Sequence, residues 1–516
     1  MSRRRLVPLL AGCCLMLPAV AFAQPRARSL SEHDVVQSAV AKNPTLHVAL
    51  LRASQSRVAV SAEQALYTPT FDARAGYLHS RTPTLTGDGG TRVSSVDSYD
   101  LGAGITKPFA FGTVVSASLT GQRASRFTST DAALAGSSSG PSYALIGQLA
   151  LTQPLLRGRG DDVGQASLRQ AKLALGASEL FAQETASSLL SSVVSAYWEL
   201  WYAGEGVRIF EQSLELARVQ EEQAKQQVQS GALAPASALP YATQVAELEE
   251  AVLAARTEQR QRELALAQLL GEPREVGVGV VASDSPQPET ADDPVEARAV
   301  SEALEKSFSR KQLQAQLAIA KDQLKVSGDP LRPRLDVDAY VQAQGLGDRS
   351  VPAAMEQFGK LEAVSAHVGL TFETPLSDTR RNAQVQSAQL AAHMTERQLD
   401  ENELSIRSSV ASALTQRRSA REKLTLSTQT ERVAQAQADA ERARFLAGGS
   451  IALLVQQAED SLRRAQLRVQ RARVDLVLAD LALAEVRGQL LVRYASAVRA
   501  LPSPDRTTLT TPHSNF

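Results

Sequence analysis

The chain has 516 residues with 55 basic and 55 acidic side chains, a balance that gives no indication of a nucleic-acid partner. Aromatic residues make up 4% of the chain against 43% hydrophobic residues, which favours long, closely packed helices over one thick core. The only cysteines are Cys13 and Cys14, so removal of an N-terminal leader would exclude a disulfide, thiol catalysis and a cysteine metal site.

The first 23 residues have the pattern of an export signal. Three arginines precede an apolar run from Leu6, and Ala21–Ala23 provides a small-residue cleavage site. We therefore expect residues 1–23 to be a signal peptide. Leu10–Cys13 also resembles a lipobox, but cleavage there would leave an apolar stub, so a lipid anchor at Cys13 is the less favoured alternative. The rest of the sequence contains no run of about 18 apolar residues, so no transmembrane helix is predicted.

Alternating apolar and polar residues follow two helical stretches near the N-terminus. The first helix starts at Ser31 and is interrupted by Asn43–Pro44, and the second runs to about Ala65. The alternating segments are Phe71–Tyr77, Asp100–Thr106, Val115–Thr120 and Ser142–Thr152. This period is typical of a half-buried strand or of a membrane barrel strand. Two long polar connections, Pro83–Ser98 and Arg123–Pro141, and one short turn at Lys107–Gly112 match the loop asymmetry of an outer-membrane barrel.

Helical periodicity then dominates, and the same plan appears twice. The predicted elements are helices from about Gln165 to Gly271 with a break at Ser230–Pro235, a helix at Pro294–Lys325, strands at Leu335–Ala343 and Ala366–Thr374, and a helix at Asn382–Leu446. The predicted domains are the signal peptide (1–23), repeat 1 (24–271), a linker (272–293), repeat 2 (294–492) and a disordered tail (493–516).

A heptad repeat lies near the C-terminus, with large aliphatic residues at one position and mostly alanine at the other. Its seam consists of Val455, Ala458, Leu462, Ala465, Val469, Ala472, Leu476 and Ala479. Such a seam predicts close packing against a neighbouring helix. An offset of 217 residues recovers most of it from Ala238, breaks at Gln259 and Arg262, resumes at Leu266 and Leu269, and aligns Gly231 with Gly448. The chain therefore reads as a duplication.

This order of elements resembles the TolC-like outer-membrane factor family over nearly the whole mature chain. The agreeing motifs are Asn43–Pro44, Thr152–Leu156 with its echo Glu373–Leu376, Ala196–Trp198 and Phe445–Gly448. The resemblance implies an α+β membrane protein, a homotrimer whose outer-membrane β-barrel is continuous with a long periplasmic α-helical barrel and is built from two structural repeats. The family usually has four strands per subunit, whereas six are predicted here, so the Leu101–Leu119 hairpin either joins an enlarged barrel or packs outside it.

The six histidines are scattered and the sequence contains no recognisable catalytic constellation, so we expect no enzyme activity, cofactor or metal. We expect an outer-membrane channel of a tripartite efflux pump, which passes small molecules from an inner-membrane transporter through a periplasmic membrane-fusion adaptor and contacts outer-membrane lipid. The outer-membrane part of a type I protein secretion system and a periplasmic coiled-coil scaffold remain the alternatives. The expected adaptor-docking turns are Ser230, Gly231, Ala232 and Leu233 in repeat 1, and Ala447, Gly448, Gly449 and Ser450 in repeat 2.

Closure of the tunnel is the family's other function. Many relatives place aspartates six and nine residues after the glycine of the second turn, where this chain has Leu454 and Gln457, so an acidic constriction is not supported. A ring of Leu454 from three subunits would instead gate by dewetting. The alternative is that Leu454 is an ordinary packing residue.

Overall fold

The computed structural model describes residues 28–85, 91–130, 137–231, 233–272, 280–287, 294–374 and 376–498. The predicted signal peptide, Ala232, part of the predicted linker and residues 499–516 lie outside this range. The chain divides into two compact units. Unit 1 comprises Met1–Asn43, Leu190–Thr290 and Arg418–Asp480, and unit 2 comprises Pro44–Leu189, Ala291–Arg417 and Leu481–Phe516.

Helices make up most of the described residues. In chain order they are α1 (Glu32–Lys42), α2 (Pro44–Ala65), α3 (Asp161–Gly164), α4 (Ala166–Gln229), α5 (Pro235–Leu270), α6 (Glu296–Lys306), α7 (Phe308–Ser327), α8 (Val351–Gly359), α9 (Thr379–Leu446), α10 (Ala452–Val486), α11 (Leu490–Arg493) and α12 (Ala495–Val498). Across the ranges that the structure describes, none of these helices combines the length and apolar character needed to cross a membrane.

The strands form two sheets. They are β1 (Arg28–Leu30), β2 (Thr70–Leu85), β3 (Thr91–Pro108), β4 (Val114–Thr130), β5 (Ser137–Pro154), β6 (Val280–Ala282), β7 (Arg334–Asp348) and β8 (Ala363–Glu373). Unit 2 contains an antiparallel sheet in the order β2-β3-β4-β5-β7-β8. The Leu101–Leu119 hairpin belongs to β3 and β4 and is paired on both sides, so it lies within this sheet rather than packing outside it.

Strands β2 to β5 are longer than the alternating pattern predicted. They have 16, 18, 17 and 18 residues, and the predicted loops Pro83–Ser98 and Arg123–Pro141 are largely strand. Pro83 pairs with Val93, for example, well beyond the predicted end of β2. Polar residues occur on both faces of these outer stretches, and apolar residues such as Val93 and Val96 also fall on opposite faces, so no regular alternation marks them as strand in the sequence.

The register of the sheet separates an apolar face from a mostly polar face. The apolar face is defined here by Phe71, Ala73, Ala75, Leu101, Ala103, Ile105, Ala117, Leu119, Leu145, Leu149, Leu151, Leu335, Val337, Ala339, Val341, Ala343, Val364, Ala366, Val368, Leu370 and Phe372. The opposite face carries Asp72, Arg74, Asp100, Thr106, Ser116, Thr120, Gln148, Thr152, Asp336, Asp338, Gln342, His367 and Thr371. The apolar face is solvent-exposed in the single chain, with Val368 76% exposed.

Helix packing in unit 2 corrects the prediction of one helix at Pro294–Lys325. Ser307 ends α6, and its side chain accepts a hydrogen bond of 3.2 Å from the Arg310 backbone N–H to start α7. Ala299 and Ala303 of α6 are fully buried in a cluster that includes Val410 of α9. Serine is a favoured N-cap residue, so a new helix begins directly after the break at Ser307.

The C-terminal turns of unit 2 extend the ordered chain past the predicted boundary at residue 492. Tyr494 and Ala497 are buried, and α12 ends at Val498. Disorder from residue 493 is therefore a wrong prediction for residues 493–498.

Unit 1 contains a parallel pair of short strands that sequence reasoning missed. β1 pairs with β6, which lies inside the predicted linker, and Val280 is almost completely buried. The fully buried Tyr197 of α4 donates hydrogen bonds of 3.1 Å to the Leu30 carbonyl and to the Asp284 carboxylate. Burial raises the pKa of the Tyr197 hydroxyl to about 12. This tyrosine therefore fixes the strand pair to α4 while it stays neutral.

Candidate functional site

Two helical turns in unit 1 form the centre of the candidate site. Gly448 follows α9 with φ 73°, its N–H donates to the Phe445 carbonyl at 3.0 Å, and the Gly449 N–H donates to the Arg444 carbonyl at 2.9 Å. This is a Schellman end, in which a left-handed residue satisfies the last carbonyls of the helix. Gly231 ends α4 with φ 75° and donates to the Val228 carbonyl at 3.1 Å. Both predicted turns therefore place a glycine in the left-handed backbone region, which favours glycine.

The predicted docking residues differ in accessibility. Ser230, Gly231, Ala447, Gly448 and Gly449 are exposed, Leu233 and Ser450 are half-buried, and Ala232 lies outside the described residues. A side chain built on either turn glycine would meet no atom within 4 Å. The Ser450 hydroxyl is hydrogen-bonded to the Glu441 carboxylate, which closes the second turn on itself.

The second turn also exposes apolar side chains that sequence reasoning missed. Leu446 is 86% exposed and Ile451 is 61% exposed, one on each side of Gly448. Solvent-facing turns are normally polar, and exposed apolar residues that cluster mark interaction surfaces. The signal in the sequence was the pair of large aliphatic residues around a glycine turn.

A buried polar group lies behind the turns. Glu459 of α10 accepts hydrogen bonds of 2.9 Å from the Gln220 amide of α4 and from the Arg442 guanidinium of α9. Glu459 is only 9% exposed. Burial, and then the nearby Glu459 charge, raise the pKa of Tyr241 on α5. A charged carboxylate in this position joins three helices by hydrogen bonds, and the loss of either partner would leave it buried and less satisfied.

The sequence of residues 299–489 matches the family model described as Outer membrane efflux protein. Residues 299–489 are therefore similar to that family. This match confirms the resemblance recognised in the sequence and agrees with the expectation that the chain is not an enzyme. Among curated protein sequences, none matches the chain.

Solved structures of outer-membrane proteins share the fold of this chain. The outer membrane protein VceC from Vibrio cholerae has a TM-score of 0.62 at 15% identity, over 89% of this chain and 96% of VceC. The CmeC outer membrane channel from Campylobacter jejuni has a TM-score of 0.64 at 14% identity, over 98% and 99% of the two chains. The open MtrE outer membrane channel from Neisseria gonorrhoeae has a TM-score of 0.62 at 18% identity, over 89% of each chain.

The predicted constriction residues lie on the first turns of α10. Leu454 is 45% exposed in the single chain. Gln457 is exposed and lines a cleft of about 520 Å³ between α5 and α10, together with Leu239 and Leu453. Both predicted residues are therefore exposed near the start of α10, but of the two only Gln457 lines the cleft.

The eight predicted seam residues of α10 are all buried, with exposures between 0 and 7%. Ala458, Leu462 and Ala465 pack against Ala434 and Ala438 of α9. Small side chains from both helices therefore make up most of this buried cluster.

The seam of α5 is less regular than its sequence suggested. Leu266 is buried as predicted, but the predicted Leu269 is only half-buried, whereas Ala267 and Leu270 are buried. At the break, Glu263 is buried and forms an ion pair of 2.6 Å with Arg260. The buried face therefore shifts by one residue, from the predicted Arg262 and Leu269 to Glu263 and Leu270.

Proposed function

We propose that three copies of this chain form the outer-membrane channel of a tripartite efflux pump. The observation that carries the proposal is the six-stranded sheet, whose edge strands β2 and β8 have no further partner in the single chain among the described residues. Strand directions alternate across the sheet, so β8 of one copy can pair antiparallel with β2 of the next. Three copies would close an 18-stranded barrel, and closure removes the free edges.

The two faces of the sheet suit this closed arrangement. In a membrane barrel the outward side chains meet lipid and the inward side chains meet water. The apolar face, with Val368 76% and Leu370 70% exposed, would then meet the lipid. Asp336 and Asp338 lie on the opposite face, where Asp338 accepts hydrogen bonds from Thr152 and Thr371. A soluble scaffold has no use for so large an exposed apolar surface.

The helical turns are the proposed docking site for a periplasmic membrane-fusion adaptor, which connects the channel to an inner-membrane transporter. Exposed backbone around Gly448 and the apolar side chains of Leu446 and Ile451 offer both hydrogen-bonding groups and contact area. Charged substitutions at Leu446 and Ile451 are expected to abolish drug efflux while the trimer and its membrane insertion remain. Loss of the trimer in the same variants would assign these residues to assembly instead.

Reconstitution tests the channel itself. The full-length protein in planar lipid bilayers is expected to give stepwise conductance, and its expression in an efflux-channel-deficient host with its cognate adaptor and transporter is expected to restore resistance to small toxic compounds. Restored export of a protein substrate without restored resistance would favour type I secretion. A protein that never inserts into bilayers would support the scaffold alternative.

Leu454 is the proposed constriction residue. The Leu454→Ala variant is expected to increase entry of a large antibiotic such as vancomycin, because a smaller side chain weakens a dewetted ring. Leu453→Ala is a matched control, since Leu453 is the adjacent residue with a similar exposure of 52%. Unchanged vancomycin entry in Leu454→Ala, with normal assembly, would contradict the gate.

A further inference from the structure

The connection between β7 and β8 contains the nine-residue helix α8, which lies on the apolar face of the sheet. Gly345 and Gly347 of β7 lie beneath it, and a side chain built at these positions would come within 2.0 Å of the Ala354 carbonyl oxygen and 2.2 Å of the Ser350 carbonyl oxygen. Gly147 of β5 receives the Phe358 ring in the same way, at 2.8 Å. Three glycines therefore allow direct contact between the helix and the strands.

The turns on both sides of α8 also hold it in place. Arg349 and Leu361 are the non-glycine residues with positive φ among the described residues, with values of 58° and 53°. Such a conformation is strained for a residue with a side chain, so neighbouring contacts must maintain it. The Arg349 N–H donates to the Pro141 carbonyl at 3.0 Å, and the Leu346 N–H donates to the Gln357 side chain at 2.6 Å. The helix is thus a built element of the sheet surface.

The height of α8 on β7 coincides with the end of the apolar stretch. From Leu335 to Ala343 every outward residue is apolar, a distance of about 26 Å along the strand. This accounts for most of a lipid-facing band about 25 Å tall, once strand tilt is considered. Gly345 and Gly347 follow directly, so α8 covers the sheet where the apolar band ends.

Aromatic residues on the neighbouring strands lead to the same position. Tyr77 pairs with Tyr99, Tyr99 pairs with Arg123, Arg123 pairs with Tyr143, and Tyr143 pairs with Gly347. Tyrosines on the outside of membrane barrels concentrate at the boundary between acyl chains and headgroups. The row of paired residues therefore indicates that α8 lies at such a boundary.

The surface of α8 is amphipathic in a way that fits this boundary. Ala354 and Phe358 face the sheet, whereas Val351 and Met355, one turn apart, are 47% and 60% exposed. Glu356 and Lys360 form an ion pair of 2.6 Å at positions turned away from the buried stripe. An apolar stripe beside a charged stripe is the pattern of a helix that lies in the membrane interface.

We propose that α8 is an interfacial helix that binds outer-leaflet lipid on the outside of the barrel, with Val351 and Met355 against acyl chains and the Glu356–Lys360 pair among headgroups. This inference rests on the membrane placement of the sheet proposed above. The occupant is lipid rather than another protein, because the exposed apolar residues Val351 and Met355 of α8 lie at the end of the exposed apolar face of the sheet, which the lipid would cover. α8 would then anchor the β7–β8 connection at the membrane surface.

Fluorescence quenching of single-cysteine variants tests the inference. The full chain offers a clean background because its only cysteines are Cys13 and Cys14, in the predicted leader. The Met355→Cys variant is labelled with an environment-sensitive fluorophore and reconstituted in vesicles that contain brominated phospholipid. A label within about 5–10 Å of the headgroup boundary is expected to lose at least half of its fluorescence, a change of about twofold or more.

Two control positions separate the possible failures. Val368→Cys reports the middle of the apolar face, and Gln344→Cys reports the opposite face beside Gly345. We expect lipid quenching at positions 355 and 368 and iodide quenching at position 344. Lipid quenching at neither 355 nor 368 would overturn the membrane placement of the sheet. Quenching at 368 with iodide access at 355 would overturn the role of α8 alone, and protection of 355 from both quenchers would assign its surface to a protein partner.

Discussion

The close contact between α9 and α10 makes a quantitative prediction about alanine. Ala438 has no exposed surface and lies in a cluster with Ala434, Ala458, Leu462 and Ala465. Ala438→Leu adds three carbon atoms to this buried cluster, and overpacking of this kind costs typically about 1–3 kcal/mol. A cost of about 2 kcal/mol raises the opened fraction of this segment roughly 30-fold.

Hydrogen exchange measured by mass spectrometry is the appropriate assay, because it reports local opening in a protein too large for two-state unfolding. We expect amides of residues 434–465 to exchange faster in Ala438→Leu by that factor. Ala436→Leu is the matched control, since Ala436 lies on the same helix but is exposed. Its effect is expected to stay within about 0.5 kcal/mol, or roughly twofold.

A compensating substitution makes the test more specific. Leu462→Ala removes volume from the same cluster, so the Ala438→Leu/Leu462→Ala double variant is expected to recover part of the lost protection. Equal exchange in Ala438→Leu and Ala436→Leu, or no coupling in the double variant, would refute close packing through the alanine seam.

Three further predictions concern unit 1. The pKa of Tyr197 is raised from 10.0 to about 12, so the stability gained by the neutral hydroxyl is complete below pH 10 and is lost as the pH rises through 12. The difference in 295 nm absorbance between wild type and Tyr197→Phe should therefore have its midpoint near pH 12. A midpoint near pH 10, the ordinary value, would contradict the burial of the hydroxyl. Gly448→Ala should cost about 1 kcal/mol through left-handed strain and speed exchange in the turn, whereas Gly449→Ala should not; equal effects would remove the special role of Gly448. Glu459→Ala should cost about 1–3 kcal/mol by leaving the Arg442 guanidinium less satisfied, and Glu459→Gln should cost less. Hydrogen exchange of α9 measures both effects, and faster exchange in Glu459→Gln than in Glu459→Ala would contradict this role of Glu459.

Local patterns made much of the fold predictable from the sequence. The heptad of α10 depends on burial every three and four residues, and that burial is what the structure has at all eight positions. α4 ends at Gln229, just before a turn whose backbone has positive φ at Gly231, and glycine adopts this conformation at little cost. The six strands were visible because residues such as Leu101 and Asp100 point to opposite faces.

Features that depend on distant contacts were not predictable. β1 and β6 have three residues each and pair across more than 200 positions of sequence, so neither has a periodic signal of its own. Helix α8 is too short for its period to stand out, and its position depends on Gly345 and Gly347 of another element. The exposure of Leu446 likewise follows from how the helices pack and not from its residue type.

The docking turns show the same division. The sequence predicted the positions of both turns, because glycine in the left-handed region has a local backbone cause. The buried Glu459 behind them was not predicted, since its partners Gln220 and Arg442 come from two other helices. Recognition of that group required the three-dimensional arrangement.

The molar mass and membrane fraction of the native protein after detergent extraction test the central claim most directly. We predict a species of about three times the chain mass of 55.2 kDa, recovered from the outer membrane. Such a species would agree with a barrel shared by three copies through the β2 and β8 edges. A monomer or dimer released with the soluble periplasm would contradict the channel and leave the scaffold alternative.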